Sequence, residues 1–149
     1  MKIVAFSLIL LVSVVTLSFQ LSKHEKGNLK ITVTELKNSD GEIDFNLFNS
    51  SDGFPGDGTK TLKHLRGKIN KDNCSVTFEN LPFGKYAISI YHDENNDKKF
   101  NKSWYGKPIE GVAVSNNAKG SITGPPSFEE AKFDFNAQKN NLIIKMNYF

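Results

Sequence analysis

From Leu29 to Tyr148 the chain alternates apolar and polar residues in short runs, and this period of two predicts strands that each bury one face. Leu29, Ile31 and Val33 alternate with Lys30, Thr32 and Thr34. Ile43, Phe45 and Leu47 alternate with Asp44 and Asn46, and the intervening Asp40-Gly41 predicts a type I′ hairpin because both residues accept positive φ. Val76 and Phe78 mark another strand, which leads into Leu81-Pro82-Phe83-Gly84 as a tight turn and then into Tyr86, Ile88 and Ile90. Val112 with Val114, and Leu142 through Ile144 and Met146 to Tyr148, supply the last strands. Leu62–Ile69 fits a helical turn or a strand, with the strand favoured from Leu65. Two stretches, Ser50–Lys60 and Asp93–Pro108, are polar loops. Ser127 and Glu130 form a capping-box pair for a short helix over Phe128–Phe133. About six to eight short strands with at most one helix predict an all-β chain folded as a β-sandwich.

The start of the chain has a different pattern. Lys2 precedes an apolar run from Ile3 to Phe19, and charge returns at Lys23, Glu25 and Lys26. This is the layout of a signal peptide over residues 1–20, with cleavage before Phe19 or after Gln20, and it predicts a secreted or periplasmic protein. An uncleaved membrane anchor is the alternative. Residues 21–27 read as a disordered lead and 28–149 as one domain, large enough for a core without disulfides. The one cysteine, Cys74, reads as a small buried side chain, and no cysteine follows the apolar run to carry a lipid. Net charge is +3, with acids interspersed among the lysines. Together with export, that argues against nucleic acid as a partner.

Candidate chemistry is concentrated in two loops. Oxygen donors at Asp93, Asn95, Asp97 and Asn101, with the Lys99 carbonyl, recur at the spacing from which a curled loop can offer a Ca²⁺ site. A strong site of that type needs Gly where Lys98 stands and a bidentate Glu where Trp104 stands, so weak Ca²⁺ binding is the expectation, against an Asx-rich turn that bonds only itself. Trp104 and Tyr105 form a candidate ligand surface with Asn116 and Asn117. The competing and favoured reading has Trp104 folded back as a lid on the core. His92, His64, Ser115, Ser127, Glu110, Glu129 and Glu130 complete no catalytic pattern: there is no G-x-S-x-G around either serine and no metal-binding histidine spacing. No catalytic residue is assigned and no enzyme is expected.

Four segments carry a family resemblance. They are Phe48-Asn49-Ser50 with Gly53-Phe54-Pro55; Leu81-Pro82-Phe83-Gly84-Lys85-Tyr86-Ala87-Ile88; His92-Asp93-Glu94-Asn95-Asn96-Asp97-Lys98; and Gly106-Lys107-Pro108 through Ser115-Asn116-Asn117 to Gly124-Pro125-Pro126-Ser127-Phe128-Glu129-Glu130-Ala131. In this combination the chain resembles the secreted bacterial proteins of domain of unknown function 2141, in which Gly is common where Lys98 stands. The Leu-Pro-x-Gly-x-Tyr turn is also similar to that of transthyretin-like and carboxypeptidase-regulatory-like domains, so the expected sandwich is immunoglobulin-like or transthyretin-like. The resemblance implies fold and export and no activity. The leading expectation is a non-catalytic binding or structural module of the cell envelope, whose partner is an envelope protein or glycan met by loops Asp93–Pro108 and Asn116–Ser127. A hydrolase or accessory protein acting on an envelope polymer is the alternative.

Overall fold

The computed structural model describes residues 25–121 and 124–149. The expected signal peptide lies outside the described residues. Eight strands are present among them: β1 Lys26–Thr34, β2 Glu42–Phe48, β3 Lys63–Gly67, β4 Cys74–Pro82, β5 Gly84–Asp93, β6 Gly111–Val114, β7 Phe133–Phe135 and β8 Asn141–Lys145. One short helix, α1, spans Phe128–Ala131. No described helix is long and apolar enough to cross a membrane.

The strands form two sheets. One has the order β4-β1-β8; the other runs β3-β2-β5-β6, with β7 pairing the start of β5. β1 is antiparallel to β4 and parallel to β8. Between the sheets lie Leu29, Ile31 and Val33 of β1, Phe78 of β4 and Ile144 of β8, facing Ile43, Phe45 and Leu47 of β2 and Ile88 and Ile90 of β5. These are the alternating apolar positions of the sequence. The all-β sandwich follows from them, since each fully buried Leu, Ile or Phe contributes about 1.5–3 kcal/mol.

A second, smaller cluster covers the opposite face of the larger sheet. Phe48 and Ala87 meet Phe128 and Ala131 of α1, with Phe54 packed edge-on between Phe48 and Phe128 at centroid distances of 5.3 and 5.8 Å. The capping box holds as expected: the Ser127 Oγ accepts the Glu130 N–H, and the Glu130 carboxylate accepts the Ser127 N–H at 2.7 Å. The helix is shorter than the sequence predicts, because Phe133 enters β7.

Three other expectations are corrected. Asp40-Gly41 closes no hairpin, because β1 and β2 belong to different sheets and the Glu35–Gly41 segment carries the chain across the sandwich. Gly41 has φ +67°, and a Cβ there would be driven into the main-chain carbonyl of Asp93, so the glycine serves a close approach of two segments. β3 begins at Lys63 and stops at Gly67, earlier at both ends than the span expected from Leu65. The lead expected through Gly27 ends sooner, since Lys26 and Gly27 already pair with Pro82 and Leu81 of β4.

Candidate functional site

Alternation also fixes what the outer face of the larger sheet carries. Asp44 and Asn46 of β2, His64 and Arg66 of β3, and Ser89, Tyr91 and Asp93 of β5 all point away from the core. In an open sandwich these would be solvated. Here Asp44 is 2 %, Asn46 8 %, Ser89 8 % and Asp93 0 % exposed, because loops fold over them. Ser89 donates to the Pro55 carbonyl at 2.8 Å. Arg66 lies between three acids: its guanidinium bonds Asp93, pairs with Asp44 at 3.0 Å and reaches Glu42 at 3.4 Å. Burial works against that charge, but Asp44, Asp93 and Glu42 together hold the Arg66 pKa above its ordinary value. His64 Nε2 lies 2.6 Å from Asp44 Oδ1. Burial first, then Asp44 and Asp93, push the Tyr91 phenol up to about 12.

Asp93 ends β5 and organises the loop that follows. Besides Arg66, its carboxylate accepts the N–H groups of Asp97 at 3.1 Å and Lys98 at 3.0 Å. The Asn95 side-chain Oδ1 accepts the Asp97 N–H at 3.0 Å, and the Asp97 carboxylate accepts from the Lys99 N–H and from the side-chain amides of Asn95 and Asn101. Asn96 and Lys98 both have positive φ, 57° and 62°. The left-handed backbone at Lys98 is one that Gly adopts without steric cost. The loop closes on Glu110, whose Oε2 accepts the Asn101 N–H at 3.0 Å. Of the residues expected to surround a cation, Asp93, Asn95, Asp97 and Asn101 are therefore joined in one hydrogen-bonded turn, and Lys99 contributes its N–H. Among the described residues no three His, Cys, Asp or Glu side chains make a metal-binding group.

Two buried oxygens in this turn have no hydrogen-bond partner: Asn101 Oδ1 and Glu110 Oε1. Glu110 is 5 % exposed. Its burial, opposed by the Asn101 N–H and reinforced by Asp93, Asp97 and Glu94, holds its carboxyl above the usual range. The sequence reading placed the missing acid at the Trp104 position; the carboxylate that meets the turn is Glu110, six residues further on.

The segment between them, Lys102–Ile109, leaves the surface. Trp104 is 95 % exposed, so the lid reading is overturned: the core is already closed by Met146 and Tyr148, and the indole packs edge-on against Tyr105 at 5.3 Å. Tyr105 forms one wall of a groove of about 920 Å³ on the outer face, with Ser89, Tyr91, Val112 and Val114 at its floor. Lys102, Lys107 and Lys119 also line it, and no acid does among the described residues. Asn116 and Asn117 are not part of this surface. The Asn116 amide donates to the carbonyls of Glu130 and Lys132, and Asn117 accepts the Lys145 N–H, so both tie α1 and β8 to the sheet.

The remaining candidates have structural partners. His92 is fully buried, with Nδ1 2.8 Å from the Tyr148 hydroxyl and Nε2 2.6 Å from the Asp40 carbonyl. Ser115 is buried and accepts the Ile88 N–H while donating to the Ala131 carbonyl. Glu129 pairs with Lys132.

No curated protein and no solved structure matches the chain. The sequence profile described as "Uncharacterized protein conserved in bacteria (DUF2141)" matches residues 31–143, from within β1 to within β8 and including the whole Asp93–Glu110 turn, and the chain belongs to that family.

Proposed function

We propose that this protein is an exported, non-catalytic module of the cell envelope that holds an acidic glycan in the groove on the outer face of its larger sheet. One observation carries the reading. The groove is lined by three lysines and no acid among its described residues, and the exposed Tyr105, against which the exposed Trp104 packs, forms one wall. Exposed aromatic rings offer flat apolar faces on which sugar rings stack, and lysines around a concave surface favour an anionic chain. His92, the base that a hydrolase acting on an envelope polymer would need, has both ring nitrogens occupied inside the core, which favours binding over hydrolysis. The Lys2 and Ile3–Phe19 pattern supports export.

The test is native affinity electrophoresis through gels containing a polyuronate, with neutral dextran as the control. Retardation by polyuronate alone is expected. The double variant Trp104→Ala/Tyr105→Ala should lose it at least tenfold with an unchanged melting temperature. No retardation by polyuronate, equal retardation by dextran, or wild-type retardation of the double variant would each overturn the reading.

A further inference from the structure

A buried acceptor without a donor is costly, and here two such oxygens lie in one turn. Glu110 Oε1 and Asn101 Oδ1 have no partner, although the two residues already touch through the Asn101 N–H and Glu110 Oε2. Nearby charge makes matters worse for Glu110. Asp93, Asp97 and Glu94 all act on its carboxylate, and none of the ion pairs among the described residues reaches Glu110 or Asp97. Lys37 serves Glu94 and Arg66 serves Asp93. An isolated carboxylate at this depth is penalised unless something positive meets it.

We infer that Glu110, Asn101 and Asp97 are the side-chain ligands of a hard divalent cation, Ca²⁺, held at the closure of the Asp93–Glu110 turn. All three offer oxygen, the donor that Ca²⁺ selects, and main-chain carbonyls and water complete a shell of six to eight. Asp93 serves instead as the anchor that shapes the turn, because Arg66 and two N–H groups converge on it. Two carboxylates and one amide are a sparse set, which places the dissociation constant in the range of about 10⁻⁴–10⁻³ M typical of extracellular modules. The ion ties the first and last residues of a loop whose middle carries Trp104 and Tyr105. That consequence for the groove rests on the proposed function, whereas the site itself does not.

The experiment is calorimetric titration of the purified protein with CaCl₂ and MgCl₂, with melting curves at 0 and 10 mM of each salt. Wild type should bind Ca²⁺ in the stated range, with Mg²⁺ at least tenfold weaker, and its melting temperature should rise by several degrees in Ca²⁺. Glu110→Gln should lose at least tenfold in Ca²⁺ affinity and the calcium-dependent rise. Its calcium-free melting temperature should equal or exceed that of wild type, because a buried charge is gone. Should that variant not fold, Asn101→Ala takes its place, with a loss of at least threefold expected. No heat and no shift in wild type, or wild-type affinity in the variant, would overturn the inference. Trp104→Ala/Tyr105→Ala should bind Ca²⁺ normally while losing glycan capture. A wild type that binds Ca²⁺ but is not retarded by polyuronate sinks only the groove reading, and one that is retarded by polyuronate but binds no Ca²⁺ sinks only this one.

Discussion

Arg66→Met removes a charge from between Asp44 and Asp93 while keeping most of the apolar stem. Both acids are at most 3 % exposed at the side chain and the arginine itself is 20 % exposed, so the pairs lie largely out of water. Deleting one partner of a buried pair costs about 3–5 kcal/mol, most of it from the charges left behind. The lower end applies here. Asp44 keeps His64, Asp93 keeps the N–H groups of Asp97 and Lys98, and Glu42 is partly solvated. The expected loss is therefore about 3 kcal/mol, which for a domain of this size lowers the melting temperature by about 10 °C. Urea unfolding measures it, and a double-mutant cycle with Asp44→Asn apportions it: the double variant should recover at least about 1 kcal/mol, since one of the stranded charges is gone. Amide exchange should quicken at Asp97 and Lys98, which hang on the same carboxylate. A loss under about 1 kcal/mol, or additive single effects, would show that solvent reaches this face and that the burial argument is mistaken.

Other perturbations follow from the same structure. Ser115→Ala strands the buried Ile88 N–H and the Ala131 carbonyl, so thermal unfolding should show a loss of about 2 kcal/mol and the Ile88 amide should exchange faster. Gly41→Ala meets both a φ of +67° and the Asp93 carbonyl, and chemical denaturation should show more than about 3 kcal/mol lost. Burial, and then Glu42, push the Cys74 thiol up to about 11 from 9.0, so a disulfide reagent at pH 8 should react only as fast as the protein unfolds. For the same reason the unfolded chain releases that proton first, and stability should fall as pH rises from about 9 to about 11, an effect that Cys74→Ser should flatten in urea titrations.

The sandwich core was legible because Leu29, Ile31 and Val33, or Tyr86, Ile88 and Ile90, announce their buried face by alternation alone. Partner choice was not. Asp40-Gly41 has the chemistry of a hairpin turn, but the same glycine is demanded by a carbonyl far along the chain, at Asp93. Alternation also marks Asp44, Asn46 and Ser89 as outward-facing, but carries no sign that they are covered. The covering comes from Pro55, from the Asp93–Glu110 loop and from Ala118–Ser121 and Gly124–Pro126, and no local pattern encodes it. Within the candidate site, the Asp93, Asn95 and Asp97 spacing correctly announced a turn. Glu110 was missed as its closing acid because that role depends on an excursion of the intervening loop, and the excursion also explains why Trp104 faces water.

The pairing of β1 with β8 has a bearing on how the molecule comes to be folded at all. The first strand of the domain is the middle strand of its sheet, and one of its two neighbours lies more than a hundred residues downstream. Synthesis thus leaves Leu29–Val33 with an open edge until the closing stretch around Ile144 emerges. Completion is a late, all-at-once event with a long loop to close, which makes for slow folding and leaves the interval before it as the time when such a chain is most exposed to sticking to its neighbours.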